Sequence, residues 1–266
     1  MTNEIAAQGG PRTVLVTGGS RGIGAATCIL AARQGWAVAV NYARDRAAAD
    51  AVVATIEAAG GRALAVQADV AKVADVDAMF ATLDRELPPL AGLVNNAGVV
   101  DVASRVDAMG EDRLQRMFAI NVFGSFHCAR HAILRMTTKP RDGDRRGAGN
   151  HRGGAIVNVS SVAARLGGSG QYVDYAAAKG AIDTFTVGLA KEVVLEGIRV
   201  NAVRPGIIET EIHASGGQPD RVRQMTPLVP MQRAGTADEV AEAIVWLLSE
   251  RSSYTTGSIV EVTGGR

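Results

Sequence analysis

Short apolar runs alternate along the chain with longer stretches of helical periodicity. The apolar runs lie at 13–17, 38–42, 63–67, 90–94, 156–159, 199–203 and 258–262, and those at 13–17 and 156–159 are mostly β-branched. Helical patterns separate them at 25–34, 47–59, 73–87 and 111–135, around Tyr175, and after the capping-box pair Thr236 and Glu239. Strands buried on both faces give uninterrupted apolar runs, and strand–helix alternation is typical of parallel sheets. The pattern predicts an α/β fold with one doubly wound parallel sheet. We expect a single domain over 12–266 and a flexible segment at 1–11.

Composition narrows the classes of function. The 266 residues are 47% hydrophobic and 21% charged, and the formal net charge is +1, which offers no field suited to nucleic acid or an acidic membrane surface. No apolar run approaches the roughly 18 residues of a membrane span. The start of the chain lacks the pattern of a secretory signal. Cys28 and Cys128 fall in predicted helices and are expected to be small buried hydrophobic residues, which suits a reduced, cytoplasmic protein.

A glycine-rich turn joins the first predicted strand to the first helix. Glycine allows positive φ and close approach of the backbone to a phosphate, and a helix N-terminus offers free N–H groups. This placement favours the pyrophosphate of a dinucleotide over an ordinary turn. The residues expected to contact it are Gly18, Ser20, Arg21, Gly22, Ile23 and Gly24.

The end of the second strand bears on the choice of cofactor. NAD-selective folds usually place a carboxylate there for the ribose 2′-hydroxyl, whereas this chain has Asn41, followed by Tyr42, Ala43 and Arg44. Arg44 and Arg21 favour a phosphate, because guanidinium groups form forked bonds to phosphate oxygens. We therefore predict NADP(H). Asp45 argues against it, and solvated surface arginines are the alternative.

Tyr175 and Lys179 form the candidate reaction centre. Four residues apart in an Ala-rich run, they share one face of a helix. An adjacent ammonium favours the phenolate and is expected to lower the pKa of Tyr175, which makes it a candidate general acid/base. The fifth strand ends at Ser160 and Ser161, where a hydroxyl can polarise a substrate oxygen. An ordinary helix-surface pair is the alternative for Tyr175 and Lys179.

Further candidate site residues follow other strands, at the edge where ligands bind in such sheets. They are Ala68, Asp69 and Val70 after the third strand, Asn95, Ala97 and Gly98 after the fourth, and Pro205, Gly206, Ile208 and Thr210 after the sixth. The turn at Pro205 and Gly206 is expected to hold a flat amide such as nicotinamide. The stretch 211–233 is interpreted as a lid over substrate, or alternatively as an inert surface excursion.

Three other features carry less weight. The Gly-, Pro- and Arg-rich stretch 137–154 is expected to be a mobile loop, with an acidic carrier protein or a phosphorylated substrate as a possible ligand of its charge. His127 and His131 lie one helical turn apart without a third ligand, so no metal site is predicted. Asn121 stands in the middle of a predicted helix, where asparagine is mildly unfavourable.

Several of these motifs together resemble the classical short-chain dehydrogenase/reductase pattern. In order along the chain, they are the segment 17–24, the segment 95–98, Asn121, Ser161, Tyr175 with Lys179, and the pair Pro205–Gly206. The match covers nearly the whole chain. It looks closest to the NADP-dependent group that contains 3-oxoacyl carrier-protein reductases and glucose 1-dehydrogenase-like enzymes. The resemblance implies a Rossmann fold and hydride transfer between NADP(H) and a carbonyl or secondary alcohol.

The same resemblance implies roles for individual residues. Tyr175 would donate a proton to the carbonyl oxygen, Lys179 would lower its proton affinity and hold the nicotinamide ribose, and Ser161 would orient the substrate. Asn121 would position a water in a proton relay. Asp69 and Val70 would border the adenine, Asn95, Ala97 and Gly98 the adjoining ribose, and Ile208 with Thr210 the carboxamide.

One departure and several alternatives remain at this point. Ser161 and Tyr175 are fourteen positions apart, where the family usually has thirteen, which indicates an insertion in 164–172. Family members are commonly tetramers, so a homotetramer is expected through the stripe Val240 to Leu248, although intramolecular packing of that stripe is equally compatible. A 3-oxoacyl thioester is the expected substrate, with acyl carrier protein as a candidate partner. A sugar or other secondary alcohol is the alternative, and a non-enzymatic NADP(H)-binding sensor is a remote one.

Overall fold

The computed structural model describes residues 10–139 and 153–266. Seven parallel strands form one sheet in the order β3-β2-β1-β4-β5-β6-β7. The strands are β1 Thr13–Val16, β2 Ala37–Tyr42, β3 Arg62–Gln67, β4 Leu90–Asn95, β5 Gly154–Val159, β6 Ile198–Pro205 and β7 Ile259–Val262. The order reverses between β1 and β4, which confirms the predicted doubly wound sheet and places a crevice where the strand order switches.

Helices cover both faces of the sheet. They are α1 Gly22–Arg33, α2 Arg46–Ala58, α3 Val73–Glu86, α4 Glu111–Phe118, α5 Gly124–Met136, α6 Ala163–Leu166, α7 Val173–Val193, α8 Ile212–Ser215, α9 Arg221–Met225 and α10 Ala237–Leu248. Buried side chains of α1, α2 and α10 form one core with the sheet, and those of α3, α5 and α7 form another.

Alternation within each strand divides the side chains between these two cores. In β1, Val14 and Val16 belong to the core with α1, and Leu15 belongs to the core with α3. All three are fully buried. Successive side chains of a strand point to opposite faces, so a strand covered on both sides must be apolar at every position. This requirement explains the uninterrupted apolar runs.

The predicted helical region 111–135 is confirmed, with one irregularity that the sequence did not predict. It is divided into α4 and α5 by a π-helical turn, Ala119–Phe123. A π-turn inserts one extra residue into the helix and is frequent at functional sites. The buried residues of this turn are Asn121 and Val122, so the irregularity lies at one of the predicted site residues.

The last helix packs inside the protomer. Thr236 Oγ1 accepts from the Glu239 amide, and the Glu239 carboxylate accepts from the Thr236 amide, which confirms the predicted capping box. Val240, Ile244 and Leu247 of the apolar stripe are fully buried in the core shared with α1. The stripe therefore packs within the protomer, and its buried side chains are unavailable to a partner subunit.

Cys28 and Cys128 are free and fully buried, as predicted. In the described ranges, no helix is both long and apolar enough to cross a membrane. Two predictions fall largely outside the described residues: most of the flexible segment, at 1–9, and most of the basic loop, at 140–152.

Candidate active site

A cleft of about 300 Å³ opens at the carboxyl edge of the sheet. Its walls include Ser161, Tyr175 and Lys179, together with Gly98 after β4 and Gly206 after β6. Side chains from distant parts of the sequence meet here because parallel strands end at the same edge. The cleft unites the predicted reaction centre with the turns expected to hold a cofactor.

Tyr175 is the third residue of α7, in its first turn, and is 9% exposed. Burial raises the pKa of its phenol to about 12, and a hydrogen-bonding interaction with Ser161 opposes the rise. The net lowering of the Tyr175 pKa expected from sequence is therefore wrong, because desolvation of the phenolate outweighs the effects that favour it. The phenol stays protonated at neutral pH, in the form that can donate a proton.

Lys179 lies one turn further along the same face of α7 and is 4% exposed. Its Nζ donates to the Val159 carbonyl at 2.7 Å and lies 5.7 Å from the centroid of the Tyr175 ring. Burial lowers the pKa of Lys179 to about 8, and the charge of Asp183 opposes this shift. The ammonium thus contacts the ring face and the end of β5.

The two serines after β5 have different surroundings. Ser160 is buried, and its hydroxyl donates to the Lys179 carbonyl at 3.3 Å. The Ser161 hydroxyl accepts from the Ala163 amide at 3.1 Å and interacts with Tyr175. Ser161 is therefore the serine that faces the phenol, in agreement with the choice made from sequence.

The longer spacing between Ser161 and Tyr175 is accommodated by a short helix and a glycine turn. Helix α6 occupies part of the predicted loop, and Gly167, Gly168 and Gly170 follow with φ of 78°, 60° and 69°. Three residues in the left-handed region reverse the chain within a few positions. The turn brings Tyr172 into edge-to-face contact with Tyr175, at a centroid distance of 6.0 Å.

Asn121 is held by the π-helical turn and the loop after β4. Its Nδ2 donates to the carbonyls of Val99 and Met117 at 3.0 and 2.9 Å, and its Oδ1 accepts from the Val99 amide at 3.2 Å. A Cβ added to Gly98 would lie 2.8 Å from Asn121 Oδ1 and 3.5 Å from Lys179 Nζ. Gly98 thus separates the two polar groups, and only glycine leaves both in place.

The glycine turn between β1 and α1 is fixed by polar contacts that the sequence did not reveal. Thr17 Oγ1 accepts from the amides of Asn96 and Ala97, both at 3.0 Å. Asn96 Nδ2 donates to the carbonyls of Thr17 and Gly18 at 2.9 and 3.0 Å. These bonds join the ends of β1 and β4, and they make Thr17 and Asn96 supporting residues of the turn.

The turn fits a dinucleotide phosphate. Gly18 and Gly22 have φ of 61° and 51°, and a Cβ at Gly24 would lie 2.3 Å from the Gly18 carbonyl oxygen. Arg21 is the N-cap residue of α1, and no side chain caps this helix. The free N–H groups of the first turn, which include those of Ile23 and Gly24, are donors for an anionic ligand.

Asn41 is placed differently from the expected ribose contact. It is 2% exposed, and its Oδ1 accepts from the Gly18 amide at 3.2 Å. Its Nδ2 donates to the Val66 and Ala68 carbonyls at 3.3 and 3.1 Å. Asn41 therefore links β2, β3 and the glycine turn. Tyr42 beside it is buried at 3% exposure.

Arg21 and Arg44 both lie exposed at the carboxyl edge. Arg21 Nη1 is 3.2 Å from Glu211 Oε2, at the start of the predicted lid. Arg44 forms no hydrogen bond or ion pair with a described residue and follows the exposed Ala43. The Asp45 carboxylate accepts from the Ala48 amide and caps α2, so it serves the helix.

The remaining predicted contacts fall into two groups. Those lining the cleft are Gly98, Pro205, Gly206, Ile208 and Thr210. Asn95 instead points into the core, where Nδ2 donates to Asn158 Oδ1 at 2.9 Å. Asp69 accepts from the Ala71 amide at 3.1 Å, and Val70 is buried with its carbonyl 3.0 Å from His127 Nδ1.

The segment 211–233 lies over the cleft as the lid interpretation expects, since its residues Ile212, Gly216, Gln218, Arg221 and Met225 form part of the lining.

The second histidine of the predicted helix, His131, has Nε2 2.7 Å from Asp77 Oδ1 and stacks on Phe80. Within the described residues, no three His, Cys, Asp or Glu side chains are grouped to hold a metal.

Comparisons with known proteins agree with this architecture. A family model described as enoyl-(acyl carrier protein) reductase matches residues 18–266. The uncharacterised oxidoreductase YgfF of Escherichia coli is 53% identical over 252 residues, covering 95% of this chain and 98% of that protein. A 3-oxoacyl-[acyl-carrier-protein] reductase of Synechocystis is 38% identical over 256 residues, covering 96% of each chain.

A solved structure shares the fold. A double mutant of a Serratia marcescens short-chain dehydrogenase/reductase superposes with a TM-score of 0.85 at 31% identity, covering 96% of this chain and 97% of that one. The similarity therefore extends over nearly the full length of both chains. The chain belongs to the short-chain dehydrogenase/reductase family of oxidoreductases, whose members use nicotinamide cofactors.

Proposed function

We propose that this protein transfers hydride between NADP(H) and a carbonyl or secondary-alcohol substrate, with Tyr175 as general acid/base. The observation that carries the proposal is the meeting of Ser161, Tyr175 and Lys179 in one cleft. A protonated phenol, a second hydroxyl and a buried ammonium suit a carbonyl oxygen that gains negative charge during reduction.

Each residue has a distinct part in reduction. The Ser161 hydroxyl orients the carbonyl oxygen beside Tyr175, whose phenolic proton passes to that oxygen as the alcohol forms. The bound nicotinamide cofactor supplies the hydride. Lys179 stabilises the phenolate left behind, since its ammonium lies 5.7 Å from the ring centroid. Asn121 holds the loop at Val99 and Gly98 beside Lys179, and a water relay through Asn121 remains part of the proposal.

The choice of NADP(H) is supported by position and charge. Arg21 occupies the N-cap position of the helix that would receive the pyrophosphate, and Arg44 follows the strand whose end would lie beside the adenosine ribose. The carboxylate of Asp45 is engaged at the α2 N-terminus, which lessens its repulsion of a phosphate. To bind a 2′-phosphate, Arg21 would have to leave or share its ion pair with Glu211. The free-energy cost of this change is small, because the pair is exposed to solvent.

The cofactor proposal is tested by replacing both arginines with alanine. Loss of two charge-assisted contacts is expected to reduce the ratio of kcat/KM with NADPH to that with NADH by at least about 10-fold. Arg46→Ala is a matched control, because Arg46 lies in the same region but bonds to Asp50. An unchanged cofactor preference in the double variant would contradict the phosphate assignment.

A short 3-oxoacyl thioester is the first substrate to assay, on the strength of the resemblance to 3-oxoacyl carrier-protein reductases. The experiment measures NADPH consumption with this thioester, with Tyr175→Phe as the blank. Turnover of about 1–1000 per second is the ordinary range for an enzyme on its own substrate. Absence of turnover above the blank would reject the thioester and direct the assay to sugars and other secondary alcohols with NADP⁺.

A further inference from the structure

An uncompensated positive charge lies in the wall of the substrate cleft. Arg221, the first residue of α9 in the lid, is 9% exposed and belongs to the cleft lining. It forms no ion pair with any described residue. The other charged residues of the lining are Asp101, which pairs with Arg116, Lys179, which bonds to Val159, and Arg266, whose positive charge repels that of Arg221.

The bonding of the Arg221 guanidinium leaves one edge without protein partners. Nη1 donates to Gln171 Oε1 at 2.8 Å and to Gln218 Oε1 at 2.7 Å. Nε is buried, and neither Nε nor Nη2 has a hydrogen-bond partner among the described residues. The plane of the group is supported by Tyr172, whose ring centroid is 4.7 Å from Cζ. The guanidinium is thus held in place with its Nε–Nη2 edge unused.

A buried cation bonded only to neutral amides is unfavourable, because it has lost hydration without gaining an opposite charge. The pKa of Arg221 agrees with this unfavourable environment, because it is lowered, mainly by burial and to a smaller extent by repulsion from Arg266. Two parallel N–H donors on one edge match the two oxygens of a carboxylate. The arrangement is therefore suited to a carboxylate ligand that is part of the substrate.

We propose that Arg221 binds a carboxylate on the substrate, so that the preferred substrates are keto acids or the corresponding hydroxy acids. This inference rests on the proposed carbonyl chemistry at Tyr175. Tyr172 joins the two positions, since its ring centroid lies 4.7 Å from Arg221 Cζ and 6.0 Å from the Tyr175 ring centroid. The distance from Arg221 Cζ to the Tyr175 ring centroid is therefore at most the sum of these two distances. A small keto acid can span that separation, with its carboxylate at Arg221 and its carbonyl at Tyr175.

The alternative role for Arg221 is a structural link between the lid and the loop at Gln171. The two roles differ in their dependence on substrate charge. A structural link affects acids and esters alike, whereas a carboxylate subsite distinguishes them. The test therefore compares levulinate, and longer keto acids extended by one to three methylenes, with their methyl esters.

Wild type is expected to reduce the best acid with a kcat/KM at least about 10-fold above its ester. Arg221→Met should lose this preference, because its kcat/KM should fall further with the acid than with the ester. Arg221→Lys should recover part of the preference, because a point charge replaces the fork. Arg223→Met is the control, since Arg223 lies in the same helix but is exposed and pairs with Asp220. An equal loss on acids and esters, or a wild type that prefers esters, would overturn the carboxylate subsite.

A binding measurement separates this inference from the reaction itself. If no ketone is turned over, the proposed function fails, and calorimetric titration with levulinate and methyl levulinate still tests the subsite. Tighter binding of levulinate that disappears in Arg221→Met would support it. Equal binding of acid and ester, or binding that Arg221→Met leaves unchanged, would overturn it.

Discussion

Replacement of Lys179 by methionine should remove a cost to stability that depends on pH. Lys179 is 4% exposed, and its pKa is lowered from 10.5 to about 8, chiefly by burial. At roughly 1.4 kcal/mol per pH unit, this shift corresponds to about 3 kcal/mol of destabilisation when the amine is charged. The variant also leaves the Val159 carbonyl without its donor, at a cost of about 1–3 kcal/mol.

The sign of the pH dependence follows from the lowered pKa. Between pH 8 and 10.5 the unfolded chain holds a proton on Lys179 that the folded chain has released, so the stability contributed by this group rises with pH. The free energy of unfolding of wild type, minus that of Lys179→Met, should therefore increase by about 2–3 kcal/mol from pH 7 to pH 10. The comparison removes other titrating groups that the two proteins share.

Urea denaturation followed by tryptophan fluorescence provides the measurement. Lys191→Met is the control, because Lys191 lies on the same helix but is exposed; its difference from wild type should show no such rise. A wild-type difference from Lys179→Met that stays constant over this pH range would refute the account of Lys179 as a desolvated ammonium.

Two further substitutions test the support of the site. Gly98→Ala should lower kcat by at least about 10-fold with the fold retained, because the new Cβ would lie 2.8 Å from Asn121 Oδ1. The control Gly180→Ala should leave kcat unchanged, because a Cβ at Gly180 would have no neighbour within 4 Å. Equal kcat values for the two variants would reject the packing argument. Asp174→Ala should destabilise the protein by about 3–5 kcal/mol in urea, because it removes the fully buried carboxylate that pairs with Arg113 at 2.8 Å. Its exposed counterpart Asp107→Ala should cost at most about 1 kcal/mol, and a similar small cost at Asp174 would contradict the buried-pair assignment.

The fold was predictable because its requirements are local. Strands of the covered sheet need apolar residues at every position, and helices need a period near 3.6, so both can be read from short windows. The meeting of Tyr175 and Lys179 in one cleft was predictable for a similar reason, since the two residues share a helix face. The choice between Ser160 and Ser161 also agreed with the structure, because one strand end positions both.

Other features depend on contacts between distant residues. Asn41 and Asn95 stand at strand ends, as cofactor contacts would, but their rotamers direct them to Val66 and Asn158 respectively. No local pattern specifies such a rotamer. The pKa of Tyr175 was misjudged because the spacing to Lys179 reveals a neighbouring charge, whereas the dominant effect, burial, arises from tertiary packing.

The π-helical turn at Asn121 and the buried Arg221 were missed for related reasons. An asparagine in a helical pattern was a weak signal, and the extra residue of a π-turn leaves no distinct periodicity over five positions. Arg221 lies in a stretch rich in glycine and proline, where an arginine is normally a solvated charge. Its partner Gln171 is fifty positions away, so only the folded chain brings them together.

The central claim is that Tyr175 supplies the proton for carbonyl reduction, and one measurement tests it most directly. NADPH consumption with a reducible carbonyl substrate is compared between wild type and Tyr175→Phe, with NADPH binding measured for both by fluorescence titration. The phenol-free variant should bind NADPH as wild type does and lose at least about 100-fold in kcat, the lower range for a general acid. Full turnover in Tyr175→Phe would contradict the claim.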